Sequence, residues 1–236
     1  MRVPRRSRET TEGISRRVSR SLIWRALIVG LAMLAARGAQ AESSLAISRG
    51  VDFLISHQSA EGRWQSTEVR STQATTEALR ALSLRGAAPA ARAAAADFLI
   101  AEPIEDSDDS SRRILALSAE GYAGYAVQAV ALANALALAA DGDGGWGLAA
   151  RFERDPLDSA LSLAAFTAQP VLSIEAYSRS LLALLSFQNA DGGWPCTTVA
   201  DGSADSEIYC TALALEALAS AGGRFLTLTG TFFCGT

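Results

Sequence analysis

Three tryptophans share one local pattern, and that repetition constrains the fold more than any other feature of the chain. Each follows an acid three residues before it and a glycine two before it: Glu61-Gly62-Arg63-Trp64, Asp143-Gly144-Gly145-Trp146 and Asp191-Gly192-Gly193-Trp194. Two copies add a glutamine six residues before the Trp, Gln58 and Gln188, where the middle copy has Ala140. The Trp residues are 82 and 48 residues apart. If the longer gap holds two units of about 41 residues, a unit without a Trp lies between, and the period falls in the range of stacked repeats.

A second series runs alongside. Thr75, Ser110, Ser159 and Thr211 each open an Ala/Leu-rich stretch, ending at Leu82, Leu117, Phe166 and Leu218. Ala and Leu favour helix, and a hydroxyl near a helix start can satisfy its free N–H groups. The segments before the Trp patterns, Leu45–His57 and Ile174–Phe187, also carry apolar residues at helical spacing. Each unit therefore reads helix, Gly-Trp turn, helix. Glycine beyond the first helix takes the left-handed conformation that closes it, Trp buries a large flat surface, and Gln is expected to bond a neighbouring helix start. One helix pair cannot bury both its faces, so the pairs must stack.

Arg49-Gly50, Phe53-Leu54-Ile55, Gln58, Gly62 and Trp64 together resemble the QW motif of the squalene–hopene cyclase and protein prenyltransferase repeat superfamily, and Gln188 to Trp194 matches it again. The resemblance covers roughly residues 43–222. It implies an all-α fold, an α/α toroid of inner helices wrapped by outer ones. About four helix pairs can be counted against the six of a complete ring. In the degenerate unit, Arg92 to Ile100 is the expected outer helix and Glu102-Pro103 replaces the turn. After Gly222-Gly223 the helical period stops, so residues 224–236 read as an irregular or truncated tail after a repeat domain over 42–223. Either the chain is a fragment of such a ring, or the ring is open and needs a partner over its last apolar face.

Residues 1–41 hold nine of the 21 Arg and two of the 25 acids, followed toward their end by an apolar run and Ala39-Gln40-Ala41. This is the layout of a secretory signal peptide cleaved after Ala41, with an uncleaved N-terminal anchor as the alternative. The remainder carries a net charge of −11. Such a chain repels phosphate backbones, so nucleic acid is a poor partner. Nothing after residue 41 is long and apolar enough for a membrane span, and the expected location is periplasmic or secreted. The chain has no Lys, which excludes a Walker A lysine and a Schiff base, and its one histidine, His57, excludes a His-rich metal site.

Asp106-Ser107-Asp108-Asp109 fits the D-x-D-D pattern of class II terpene cyclases. The resemblance makes Asp108 the proton donor, with Asp106 and Asp109 perturbing it. Clustered carboxylates do raise one another's pKa. The same acids are also ordinary charge at a helix N-terminus. Their polar neighbours, with Pro103 and Glu105, predict a solvated loop carboxyl. The inner stretches carry few aromatics (Phe166 and Tyr209), whereas a cyclase needs π faces for its cations.

No metal or cofactor is expected. A zinc site would need Cys196 and Cys210 with a distant His57, and the calcium-like run from Asp201 to Asp205 lacks the Gly and Glu of an EF-hand. An oxidising compartment permits a Cys196–Cys210 disulfide, with two buried thiols as the alternative. The leading expectation is an exported, non-catalytic repeat module that binds an apolar small molecule or a protein partner at its open end. The alternatives are a class II cyclase-like isomerase using Asp108, or a structural piece that completes a ring with another chain.

Overall fold

A computed structural model describes residues 44–67, 69–120, 123–169, 171–198 and 204–232, with side chains to Gly222. The expected signal peptide, Asp201 to Ser203 and Cys234 lie outside them. The chain divides into two compact units, Met1–Phe53 and Leu54–Thr236, and the turns, helix layers and cavity all lie in the second.

All the described secondary structure is helical. α1 covers 44–57, followed by α2 (Ser71–Arg85), α3 (Pro89–Ala101), α4 (Ser107–Ser118), α5 (Ala123–Leu138), α6 (Pro156–Ala168), α7 (Ile174–Ser186) and α8 (Ile208–Phe232). Helices α2, α4, α6 and α8 pack side by side in that order, and α3, α5 and α7 each lie on the preceding member of that row. The second unit is thus two-layered, with an inner row and an outer row. The core fills the space between the rows, around Ile114, Leu163, Phe166 and Leu184. No described helix is long and apolar enough to cross a membrane.

The three Trp turns have the same construction. Trp64, Trp146 and Trp194 are 5%, 1% and 2% exposed. Each indole Nε1 donates to a carbonyl ten residues back in the outer helix: Leu54, Leu136 and Leu184, at 2.8, 2.9 and 2.9 Å. Each Trp backbone N–H donates to the next inner helix, to the hydroxyls of Thr75, Ser159 and Thr211 at 3.0, 3.0 and 2.9 Å. Gly62, Gly144 and Gly192 take φ of +87°, +91° and +89°, which only glycine adopts without strain. A Cβ on Gly62 would also collide with the backbone carbonyl of Ala94 in α3.

Three expectations need correcting. The hydroxyls of Thr75, Ser159 and Thr211 do not cap their own helices; they tie each inner helix to the turn before it. Gln58 and Gln188 do not reach free N–H groups. Their amides donate to turn carbonyls, Gly62 and Gly192, and Gln58 also to Ala91 of α3. In the middle turn, which lacks the Gln, Asp141 Oδ1 accepts from the N–H groups of Asp143 and Gly145 instead. Finally, α8 continues through Gly222-Gly223 to Phe232. Extending an existing helix adds a hydrogen bond per residue, and Thr and Phe cost only tenths of a kcal/mol each against that.

Candidate functional site

The acidic run stands at the start of α4, the inner helix of the unit without a Trp. Asp106 is its N-cap and accepts from the N–H of Asp109 at 2.7 Å. Asp109 forms a buried pair with Arg113 one turn on, Nε to Oδ1 at 2.9 Å and Nη2 to Oδ2 at 2.7 Å. Arg113 is 1% exposed. Its remaining donors reach the end of α3: Nη1 to the carbonyls of Leu99 and Glu102 at 2.7 and 2.6 Å, Nη2 to Pro103 at 2.7 Å. Every N–H of the guanidinium is therefore used.

Asp108 lies in the first turn of α4 rather than on a loop, and its side chain is largely covered. The expectation of a solvated carboxyl is corrected accordingly: α4 starts at Ser107, so Pro103 and Glu105 precede the helix and leave Asp108 packed among arginines. Its Oδ1 accepts from Arg112 Nε at 2.7 Å and its Oδ2 from Arg70 Nη2 at 3.3 Å. Arg70 also binds Glu105 and Asp106, at 2.7 and 2.9 Å. Those two carboxylates, Asp106 first, hold the Arg70 pKa above its ordinary value. Burial opposes the charge of Arg112, but Asp108 and the Tyr209 hydroxyl outweigh it and leave its pKa raised. Arg112 further binds Glu77 Oε1 at 3.2 Å and the Tyr209 hydroxyl at 2.8 Å.

A second carboxyl pair, which the D-x-D-D reading passed over, opens α6. Asp155 is the N-cap and accepts from the N–H of Asp158 at 2.8 Å. Asp158 is buried. Burial, and then the negative charges of Asp155, Asp108 and Asp106, push its carboxyl up to about 8, and it shares a hydrogen bond with the Asp155 side chain. Burial pushes Asp155 up as well. Burial thus favours the neutral form at both carboxyls of this pair. The signal for this pair was visible as a second Asp-x-x-Asp opening an inner helix.

A cavity of about 690 Å³ lies along the inner row, with Gln73, Glu77, Arg112, Leu115, Leu161 and Tyr209 in its wall. Tyr209 is the only aromatic in that wall among the described residues. Phe166, on the inner helix α6, packs on Trp146 in the core with ring centroids 5.2 Å apart. Asp106, Asp108 and Asp109 are brought together with Arg70, Arg112 and Arg113; the Trp turns are brought together with the hydroxyl series. Cys196 and Cys210 are disulfide-bonded, with Cα atoms 5.3 Å apart, joining the third turn to α8. A bonded pair has no thiolate to offer a metal, and no cluster of three or more metal-type ligands exists among the described residues. No protein-family model and no curated protein matches this chain.

Proposed function

We propose that this protein is an exported, non-catalytic repeat module of the cyclase and prenyltransferase toroid type, which holds an apolar small molecule along its inner row. One observation carries this reading: the inner row lines an open cavity with apolar residues at Leu115, Leu161 and Leu213, while Asp108 and Asp109 beside it are committed to arginines. Apolar pockets with a few fixed polar groups are the usual form of small-molecule sites. The charge balance of residues 42–236 and the basic, apolar start of the chain support export.

Titration with an apolar fluorophore such as anilinonaphthalene sulfonate tests it. Saturable binding that is lost in Ala164→Phe, which fills the cavity, supports the reading. Binding unchanged in that variant, with an unchanged melting temperature, overturns it.

A second reading, a class II cyclase-like isomerase, draws on the position of Asp108, hydrogen-bonded to the cavity residue Arg112. Two features weigh against it. Both Asp108 oxygens accept from guanidinium groups, where a proton donor needs an O–H. The carboxyl that burial pushes up, Asp158, opens α6 and lies outside the D-x-D-D run on which that reading depends. Incubation with squalene and shorter polyprenyl substrates decides: cyclised product that disappears in Asp108→Asn would establish the isomerase.

A further inference from the structure

The four inner helices are built in register. Aligned on Thr75, Ser110, Ser159 and Thr211, each presents one row of side chains to the next helix along. Ser111 in α4 meets Ser162 in α6, Oγ to Oγ at 3.2 Å. Ser118, two turns further along the same row, accepts from Gln169, the C-cap of α6, at 3.1 Å, and Ser83 at the equivalent place in α2 bonds Glu120 just beyond α4. The row's central residues are buried in each of these helices: Thr76 and Leu79 in α2, Ser111 and Ile114 in α4, Ala160 and Leu163 in α6.

In α8 the same row is bare. Ile208 is 90% exposed and Leu215 54%, and Ala212 and Ala219 between and beyond them are exposed as well. This is an apolar stripe at helical spacing, shaped like the stripes that receive an inner helix elsewhere in the molecule.

We propose that this edge receives α2 of a second copy of the chain. The proposal rests on the repeat-module reading and supplies the missing wall of its cavity. Two features select that occupant. The face with which an inner helix meets its predecessor is made of small residues, such as Ala214 and Ala217 in α8 or Ser162 and Ala165 in α6; on α2 the corresponding face carries Ala74, Ala78 and Ala81, of which Ala78 is buried, Ala74 half-buried and Ala81 exposed. Charge agrees with shape. Residues at the same position of adjacent inner helices meet on the cavity side, as Arg112 meets Glu77 at 3.2 Å. One turn further along, α2 carries Arg80 and α8 carries Glu216, both in the cavity wall. Setting α8 beside α2 of another copy places Glu216 next to Arg80, opposite charges in the register already used inside the chain. Such a head-to-tail contact closes into a ring of copies or runs on as a filament.

Light-scattering mass of the full chain over a concentration series reads the assembly. Multiples of 24.7 kDa are expected. Leu215→Arg should leave monomer. Glu216→Arg and Arg80→Glu should each weaken association about tenfold, and the double variant should recover it. Far-UV circular dichroism should show the same helical content in every variant; Arg80 also pairs with Glu77 at 3.1 Å, so the Glu216→Arg and Leu215→Arg variants, on exposed residues of α8, carry the comparison of mass. A chain that is monomeric at every concentration overturns the proposal, and so does association that ignores both charge swaps. Fluorophore binding by such a monomer would leave the cavity reading standing, so the two can fail separately.

Discussion

In the units that carry a Trp turn, an indole N–H closes the outer helix by bonding the carbonyl of Leu54, Leu136 or Leu184. In the α3–α4 unit a guanidinium does this work, with Arg113 on the carbonyl of Leu99. The two carbonyls are equivalent in sequence as well: Asp52-Phe53-Leu54-Ile55 in α1 recurs as Asp97-Phe98-Leu99-Ile100 in α3. A neutral, flat donor needs no counter-charge. A buried cation does, and Asp109 supplies it. The acidic run is therefore what a repeat unit requires when Arg stands in for Trp: Asp106 caps α4, Asp109 neutralises Arg113, and Asp108 anchors Arg112 and Arg70. A pattern that reads as catalytic from spacing alone has a structural cause.

The largest effect should come from splitting the charged pair. Asp109→Ala leaves Arg113 buried without a partner and should destabilise the protein by about 3–5 kcal/mol. Adding Arg113→Leu should return part of that loss. Chemical denaturation of both single variants and the double one measures the coupling, and additive losses would show that the pair does not act as a unit.

Truncating the indole attacks the other kind of unit. Trp146→Ala should cost about 3–5 kcal/mol, and Trp64→Ala and Trp194→Ala less, because α6 lies between two inner helices whereas α2 and α8 end the row and each has an inner neighbour on one side only. Equal shifts in denaturation midpoint would argue against a stack of interdependent units.

The N-caps of α4 and α6 differ in charge compensation, and pH separates them. Asp158 keeps its proton in the folded protein to about pH 8, whereas in the unfolded chain it loses it near pH 4. Between those values the unfolded state binds fewer protons, so stability falls as pH rises. Asp158→Asn keeps a neutral donor for Asp155 and should raise stability at pH 8 by on the order of 2–4 kcal/mol, with no gain at pH 4. Melting curves at the two pH values check this, and an equal gain at both would remove the titration account.

The smallest effects concern the hydroxyls. Thr75→Val, Ser159→Ala and Thr211→Val each strand a Trp N–H and should cost about 1 kcal/mol. Ser110→Ala, at the same register in the unit without a Trp, has no Trp N–H to strand and should be near neutral. A loss at Ser110 as large as at the other three would break the comparison.

The helices and turns were legible because they rest on local signals. Helical spacing, a Gly-Trp pair and an Ala/Leu run are read within ten or so residues. The partners of Gln58 and of the hydroxyl series were not, because those bonds join a turn to a different helix and depend on how the pairs stack. The D-x-D-D run was legible as a cluster but not as a structural device. Asp108 and Asp109 each have an Arg four residues on, Arg112 and Arg113. That spacing announces ion pairs along one helix face, and it was the signal to weigh against a catalytic acid. The extension of α8 to Phe232 escaped notice because composition marks where a helix is favoured, not where an established one must stop.

The register of the inner row also separates two jobs within a single turn of helix. Ile114 grips the neighbouring helix, while Leu115, the very next residue, faces the cavity; Leu163 and Ala164 divide the same tasks in α6. What lines the cavity and what holds the stack together are thus written in different letters of the same word. Selection can redraw the lining, from Leu to Arg to Tyr, and leave the scaffold's own spelling untouched.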